Sequence, residues 1–354
     1  MRRLPRDTMT ARERIEATLR GELPDRVPIF DLIQHVPLIE HVTGRKLTPS
    51  NALDLLCRTI GERLDITRGI APPAEETVVR YPDGFVYKQE WWTTWLIERP
   101  FKDTAGLLEY IRRNTEEIYN RQPGDMWSFA GKSNVWGTAT KSPREYFLEL
   151  QEKCGPNTVL FPFESPVGLD TAHIRAGLDL FIYAYAEEPE TVSNWLEALN
   201  WNEIQRVHET ADASLSPVAL VYADLADKNQ PMFSPAFLRR EFFPRLKKLV
   251  DAWHSHGVKV IYHSDGNLWP VLEDYKAAGV DGIKVGDWYV IYGIEPGLHT
   301  VLVDHDSNRS SSVEEARTVL RLVVDAVDRS WVTADGERPL APDDVLVVAP
   351  YNAQ

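Results

Sequence analysis

The stretch Val260-Ile261-Tyr262-His263-Ser264-Asp265-Gly266 holds an apolar run, two ionisable residues two positions apart, and a glycine. An apolar run as short as Val258–Tyr262, bounded by turn residues, reads as a buried strand. Residues two apart on an extended chain point to one side, so His263 and Asp265 can present imidazole and carboxylate to one ligand. Gly266 permits a tight turn behind them. Such a pair can hold a divalent metal, run acid–base chemistry, or be a structural histidine with its partner. A metal needs a third protein ligand, for which Asp224 and Asp287 are the nominees.

The same pattern recurs on both sides. Apolar runs lie at Arg26–Phe30, Thr158–Phe163, Pro217–Tyr222 and Val280–Val285, and amphipathic stretches near 171–211, 235–256 and 268–278 separate them. Short buried strands alternating with helices imply parallel pairing through right-handed crossovers, hence an α/β sheet or barrel. In such folds the ligand site forms at the strand carboxyl ends. The residues there are Asp31 and His35, Glu164, Asp224 and Asp227, His263 and Asp265, and Lys284 and Asp287. We therefore expect His263, Asp265 and Asp224 at the catalytic centre, and Asp31, His35, Asp227, Lys284 and Asp287 around the substrate.

Two local features stand outside this rhythm. Thr10 followed three residues later by Glu13 is a capping box that starts a helix, with residues 1–8 as an appendage. Residues 77–99 carry a Tyr81-Pro82-Asp83-Gly84 turn among aromatic and β-branched residues and read as a β-hairpin excursion. Its Trp91, Trp92 and Trp95 either line a ligand mouth or pack the hairpin onto the body.

Composition removes whole classes of function. The chain has 354 residues and a net charge of −14, so its averaged field repels phosphate backbones and anionic lipid, and nucleic acid is not an expected partner. Two cysteines, Cys57 and Cys154, cannot form a disulfide framework or a four-cysteine zinc site, and suit a reducing compartment. No apolar run approaches the roughly 20 residues that span a bilayer, so the expectation is a cytoplasmic protein without a membrane partner. Gly131-Lys132-Ser133 lacks the glycine a P-loop needs five residues earlier, where Met126 stands.

Met9–Ile15, Arg20–Pro28, Asp224-Leu225-Ala226-Asp227, Phe233-Ser234-Pro235, FFPRLKKLVDAWHSHGVKVIYHSDGN (242–267) and Ala278–Gly282 form a set of blocks that belong together. They resemble the uroporphyrinogen decarboxylase family, which also contains corrinoid-dependent methyltransferases. The resemblance covers about residues 9–290 and implies a (β/α)8, TIM-barrel-like fold. It also implies methyl transfer involving a corrinoid or a small methylated metabolite, with a tetrapyrrole, corrinoid or corrinoid protein as substrate or partner. Decarboxylation of uroporphyrinogen or another carboxylated substrate, or a degenerate barrel that only binds a ligand, are the alternatives.

Two departures bear on that choice. Decarboxylases of the family carry arginines just after the first strand, whereas here that segment begins Asp31-Leu32-Ile33-Gln34-His35-Val36-Pro37 and has no arginine before Arg45. The family's zinc-dependent methyltransferases place a cysteine two residues after the histidine of the long block, where this chain has Asp265. An aspartate can still ligate zinc, with preference moved toward harder metals. From about Pro296 the pattern stops. Residues 296–354, with an expected strand at Val345–Pro350, resemble a fragment of a superfamily 1 helicase motor domain; the alternative is that Thr300–Val303 and Val345–Ala349 supply the missing barrel strands. The expected organisation is thus a barrel over 9–295 and an atypical, graft-like tail over 296–354.

Overall fold

The computed structural model describes residues 7–68, 70, 72–121, 143–162, 164–227, 229–285, 288–291, 330–333 and 336–339. The chain divides into two compact units, Met1–Gly293 and Ile294–Gln354. The first begins with α1 (Ala11–Leu19), where Glu13 N–H donates to the Thr10 hydroxyl at 3.2 Å and the Glu13 carboxylate accepts Thr10 N–H at 2.8 Å. Arg14 runs from α1 into a buried ionic knot, donating to Asp25 at 2.7 Å and Asp65 at 2.6 Å. Asp65 also accepts from Arg26 at 2.5 Å and from the Ile29 amide at 2.7 Å, so its buried charge is met by three donors from two segments.

Helices α2 (Val36–Thr43) and α3 (Ala52–Arg63) lead to β1 (Ile66–Thr67), which Phe30 joins through a parallel bridge to Ile66. The excursion at 77–99 is an antiparallel meander of β2 (Thr77–Arg80), β3 (Val86–Gln89) and β4 (Thr94–Glu98), one strand more than the expected hairpin. Trp92 packs against the core, while Trp91 and Trp95 are exposed. After α4 (Thr104–Tyr119) and α5 (Pro143–Cys154), β5 (Val159–Leu160) pairs in parallel with β1, and β6 (Glu164–Pro166) follows.

The amphipathic stretch near 171–211 is three helices: α6 (Leu169–Ala176), α7 (Leu178–Glu187) and α8 (Pro189–Thr210). Gly177, at φ +84°, ends the first, and Pro189 begins the third at a position where its missing N–H costs nothing. Then come β7 (Val218–Tyr222), α9 (Pro235–Glu241), α10 (Phe243–Ser255), β8 (Lys259–Ser264), a 3₁₀ turn, α11 (Leu272–Ala277), β9 (Gly282–Val285) and β10 (Trp288–Ile291).

Strands β6, β7, β8 and β9 form a parallel ladder, with β10 antiparallel on β9. Side chains alternate between two cores, as a sheet covered on both faces requires. Ala219, Val221, Val260, Tyr262 and Ile283 pack with the helices, around Trp195 and Trp253. Val218, Leu220 and Ile261 pack instead with Ile15, Ile66, Val159 and Phe161. The protein is therefore α/β with parallel pairing. The described residues do not close an eight-stranded ring, because β10 runs antiparallel where a seventh barrel strand would run parallel.

The expected strand over Thr158–Phe163 is present as the two-residue β5, and the correction concerns Glu164: the chain moves from pairing with β1 to pairing with β7, so Glu164 starts a strand instead of following one. The second unit contributes an antiparallel pair, β11 (Ser330–Thr333) and β12 (Gly336–Pro339). Gly131–Ser133, Asp287, Thr300–Val303 and Val345–Pro350 lie outside the described residues. None of the described helices is long and apolar enough to cross a membrane.

Candidate functional site

The in-register pairing Tyr222↔His263↔Lys284 sets the carboxyl ends of β7, β8 and β9 level with one another. Parity carries His263 onto the face of Ile261, and the loop after β7 brings Asp224 beside it. His263 Nε2 lies 3.8 Å from Asp224 Oδ1, with the imidazole buried and the carboxylate open to solvent. Ligand atoms of Asp224, His263 and Asp265 all lie within 4.8 Å of one another.

The backbone around these residues is fixed by hydrogen bonds from its own strand neighbours. Ala223 N–H donates to the His263 carbonyl at 3.1 Å, and the Ala223 carbonyl accepts the Tyr262 hydroxyl at 2.9 Å. Leu225 N–H donates to the Ser264 hydroxyl at 3.3 Å, so Asp224 is held on both sides. Tyr275 donates to the Tyr262 hydroxyl at 3.2 Å, tying this prop to α11. Asp224 Oδ1 in turn accepts the Asp265 amide at 3.2 Å, which links the two acids directly. Gly266, at φ +83°, lets the 226–227 backbone close over the turn: a Cβ there would sit 2.5 Å from the Ala226 and Asp227 carbonyl oxygens.

The other expected site residues divide. Asp31 follows the Phe30 bridge at the same end of the parallel strands, is exposed, and accepts its neighbour's Leu32 amide at 2.7 Å. His35 is the N-cap of α2, its Nδ1 accepting Leu38 N–H at 3.2 Å, and so is engaged in a helix start. Asp227 shapes its own loop, accepting the amides of Asn229 at 2.7 Å and Gln230 at 3.0 Å. Lys284 is the residue of β9 aligned with His263. His254 and His256 end α10, the former on Asp281 at 2.7 Å and the latter on His208 at 2.9 Å.

Sequence reading missed one group. Asp170 and His173 project from α6, directly after β6, and both are buried. Burial pushes the Asp170 carboxyl up to about 7; the amides of Thr171, Asp170 and Gly168 oppose the rise, and the charge of Asp224 adds to it. Burial pulls His173 down to about 4, against the pull of Asp224. The signal in the sequence is Gly168 followed by Asp170 and His173, an i, i+3 pair on one helical face, and it was hidden because β6 carries no apolar run.

No protein-family model matches the chain, and no curated protein does. Solved structures do match it. One is a methyltransferase from Methanosarcina mazei, with a TM-score of 0.48 and 16% identity, covering 78% of this chain and 75% of that one.

Proposed function

We propose that the first unit is a metal-dependent methyltransferase, taking a methyl group from a corrinoid or another small methylated metabolite to a small thiol at Asp224, His263 and Asp265. The observation that carries this reading is the convergence of one imidazole and two carboxylates within 4.8 Å at the strand ends. One nitrogen and two oxygens suit zinc, a borderline divalent ion, or a harder one such as manganese, and three protein ligands leave positions open for a reactant. When bound, such an ion supplies Lewis acidity that lowers the pKa of an acceptor group beside it.

The chain's own part is placement. His263 sits in a buried seat at the end of β8, and Asp224 is fixed by its neighbours' bonds to His263, Tyr262 and Ser264. Asp224 and Asp265 are exposed, so a reactant can reach them from solvent. In the proposed reaction the thiol loses its proton, the C–Co bond breaks with its electron pair left on cobalt, and a C–S bond forms.

The test is thiol methylation from methylcobalamin by protein loaded with zinc or manganese. Asp224→Asn and His263→Gln should each lower the rate by about two orders of magnitude with little change in melting temperature. A wild-type protein that transfers no methyl group, or variants that keep its rate, would remove the proposal.

A further inference from the structure

Asp170 and His173 stand one helical turn apart on α6, at the same end of the sheet as the cluster just described. Pro166, the last residue of β6, is in register with Tyr222, which is in register with His263, so the chain after β6 emerges level with the chain after β7 and β8. Gly168, at φ +121°, turns the chain into the helix; a Cβ there would meet the Leu196 carbonyl oxygen at 3.2 Å. The turn is therefore tight, and it brings Asp170 into the helix's first turn. The charge of Asp224 raises both Asp170 and His173, in keeping with groups that lie at the same end of the sheet by register.

One polar atom on each side chain has no partner among the described residues, although the Asp170 carboxyl also meets the amides of Thr171, Asp170 and Gly168. Asp170 Oδ1 and His173 Nε2 are buried without a hydrogen-bond partner, with residue exposures of 2% and 8%. Their neighbours Ala172 and Ala176 are ordinary core, among which a buried polar atom normally has a hydrogen-bond partner. The His173 ring packs tilted against Phe233, centroids 5.7 Å apart, which leaves its Nε2 for another group. A carboxylate oxygen lacking a donor is complemented by an N–H or O–H, and is repelled by a second acid.

We propose that Asp170 and His173 form the wall that receives the remote head of the acceptor, and that this head is an ammonium or hydroxyl and not a carboxylate or other acid. This rests on the methyl-transfer reading only for the acceptor's being a thiol; the preference for the head belongs to α6. Asp170 accepts the head's hydrogen bond, and His173 closes the other side against Phe233.

The experiment uses three thiols of similar size with different heads: cysteamine, 2-mercaptoethanol and 3-mercaptopropionate. Each is titrated calorimetrically into the full chain, with zinc present and absent, and into Asp170→Asn and His173→Gln. Cysteamine and mercaptoethanol should bind about tenfold or more tighter than mercaptopropionate, a gap that Asp170→Asn should bring close to unity. The wild-type ratio is itself a readout, so a variant that melts does not decide the matter. Equal or tighter binding of mercaptopropionate, a ratio unchanged in Asp170→Asn, or binding of none of the three at millimolar concentration would each overturn the proposal. Methyl transfer to some other acceptor in that last case would leave the function standing and this wall refuted.

Discussion

Gly266→Ala isolates the turn that holds the site together. The native residue has φ +83°, and a Cβ built there lies 2.5 Å from two carbonyl oxygens, those of Ala226 and Asp227. Ordinary contact needs about 3.5 Å, so the 226–227 backbone would retreat by about 1 Å. The left-handed backbone costs an alanine about 1–2 kcal/mol. Retreat also strains the bond from Asn267 N–H to the Asp227 carbonyl, now 2.7 Å, which contributes about 1 kcal/mol more. The expected loss is about 2–3 kcal/mol in urea unfolding followed by circular dichroism. Because Asp265 immediately precedes this glycine and its amide is bound by Asp224, zinc affinity should fall about tenfold or more in the folded variant. An alanine variant with wild-type stability and wild-type zinc affinity would show that the turn does not position Asp265.

Other outcomes follow from the same structure. The fold favours the protonated form of Asp170, raised by burial to about 7, so the stability it supports is full below the unfolded carboxyl range and is lost as pH rises through 7. Wild type should therefore lose up to about 4 kcal/mol relative to Asp170→Asn between pH 4 and pH 8, and parallel urea profiles of the two would contradict this. Asp65→Ala leaves Arg14 buried with a missing partner and should cost about 3–5 kcal/mol; a loss below about 1 kcal/mol would show the knot to be dispensable. His35→Ala should remove about 1 kcal/mol through the lost cap while zinc affinity stays at the wild-type value, and a large affinity change would return His35 to the site.

Strands β7, β8 and β9 were legible because each is an apolar run buried between two cores, which leaves little else for such a run to be. The pairing of His263 with Asp224 was legible for the same reason: once the strands are parallel, the residues after them must meet at one end. Strand β6 was not, since Glu164-Ser165-Pro166 shows no apolar run, and its place is set by pairing with β7. Losing β6 hid Asp170 and His173, which sit where a strand end turns into a helix. His35 and Asp227 show the converse. An N-cap, a turn former and a ligand all appear as a polar residue after an apolar run, and only the partners distinguish them: the amides of Leu38, Asn229 and Gln230. The antiparallel β10 was equally hidden, because an apolar strand looks the same in either direction.

The central claim is that Asp224, His263 and Asp265 hold one divalent ion, and it is tested most directly by counting that ion. Protein dialysed against zinc or manganese and then passed through a desalting column should retain about one ion per chain by mass spectrometry of the metal. Retention should fall to background in the variant carrying Asp224→Asn, His263→Gln and Asp265→Asn together. A wild-type protein that retains no metal, or a triple variant that retains as much as wild type, would contradict the account.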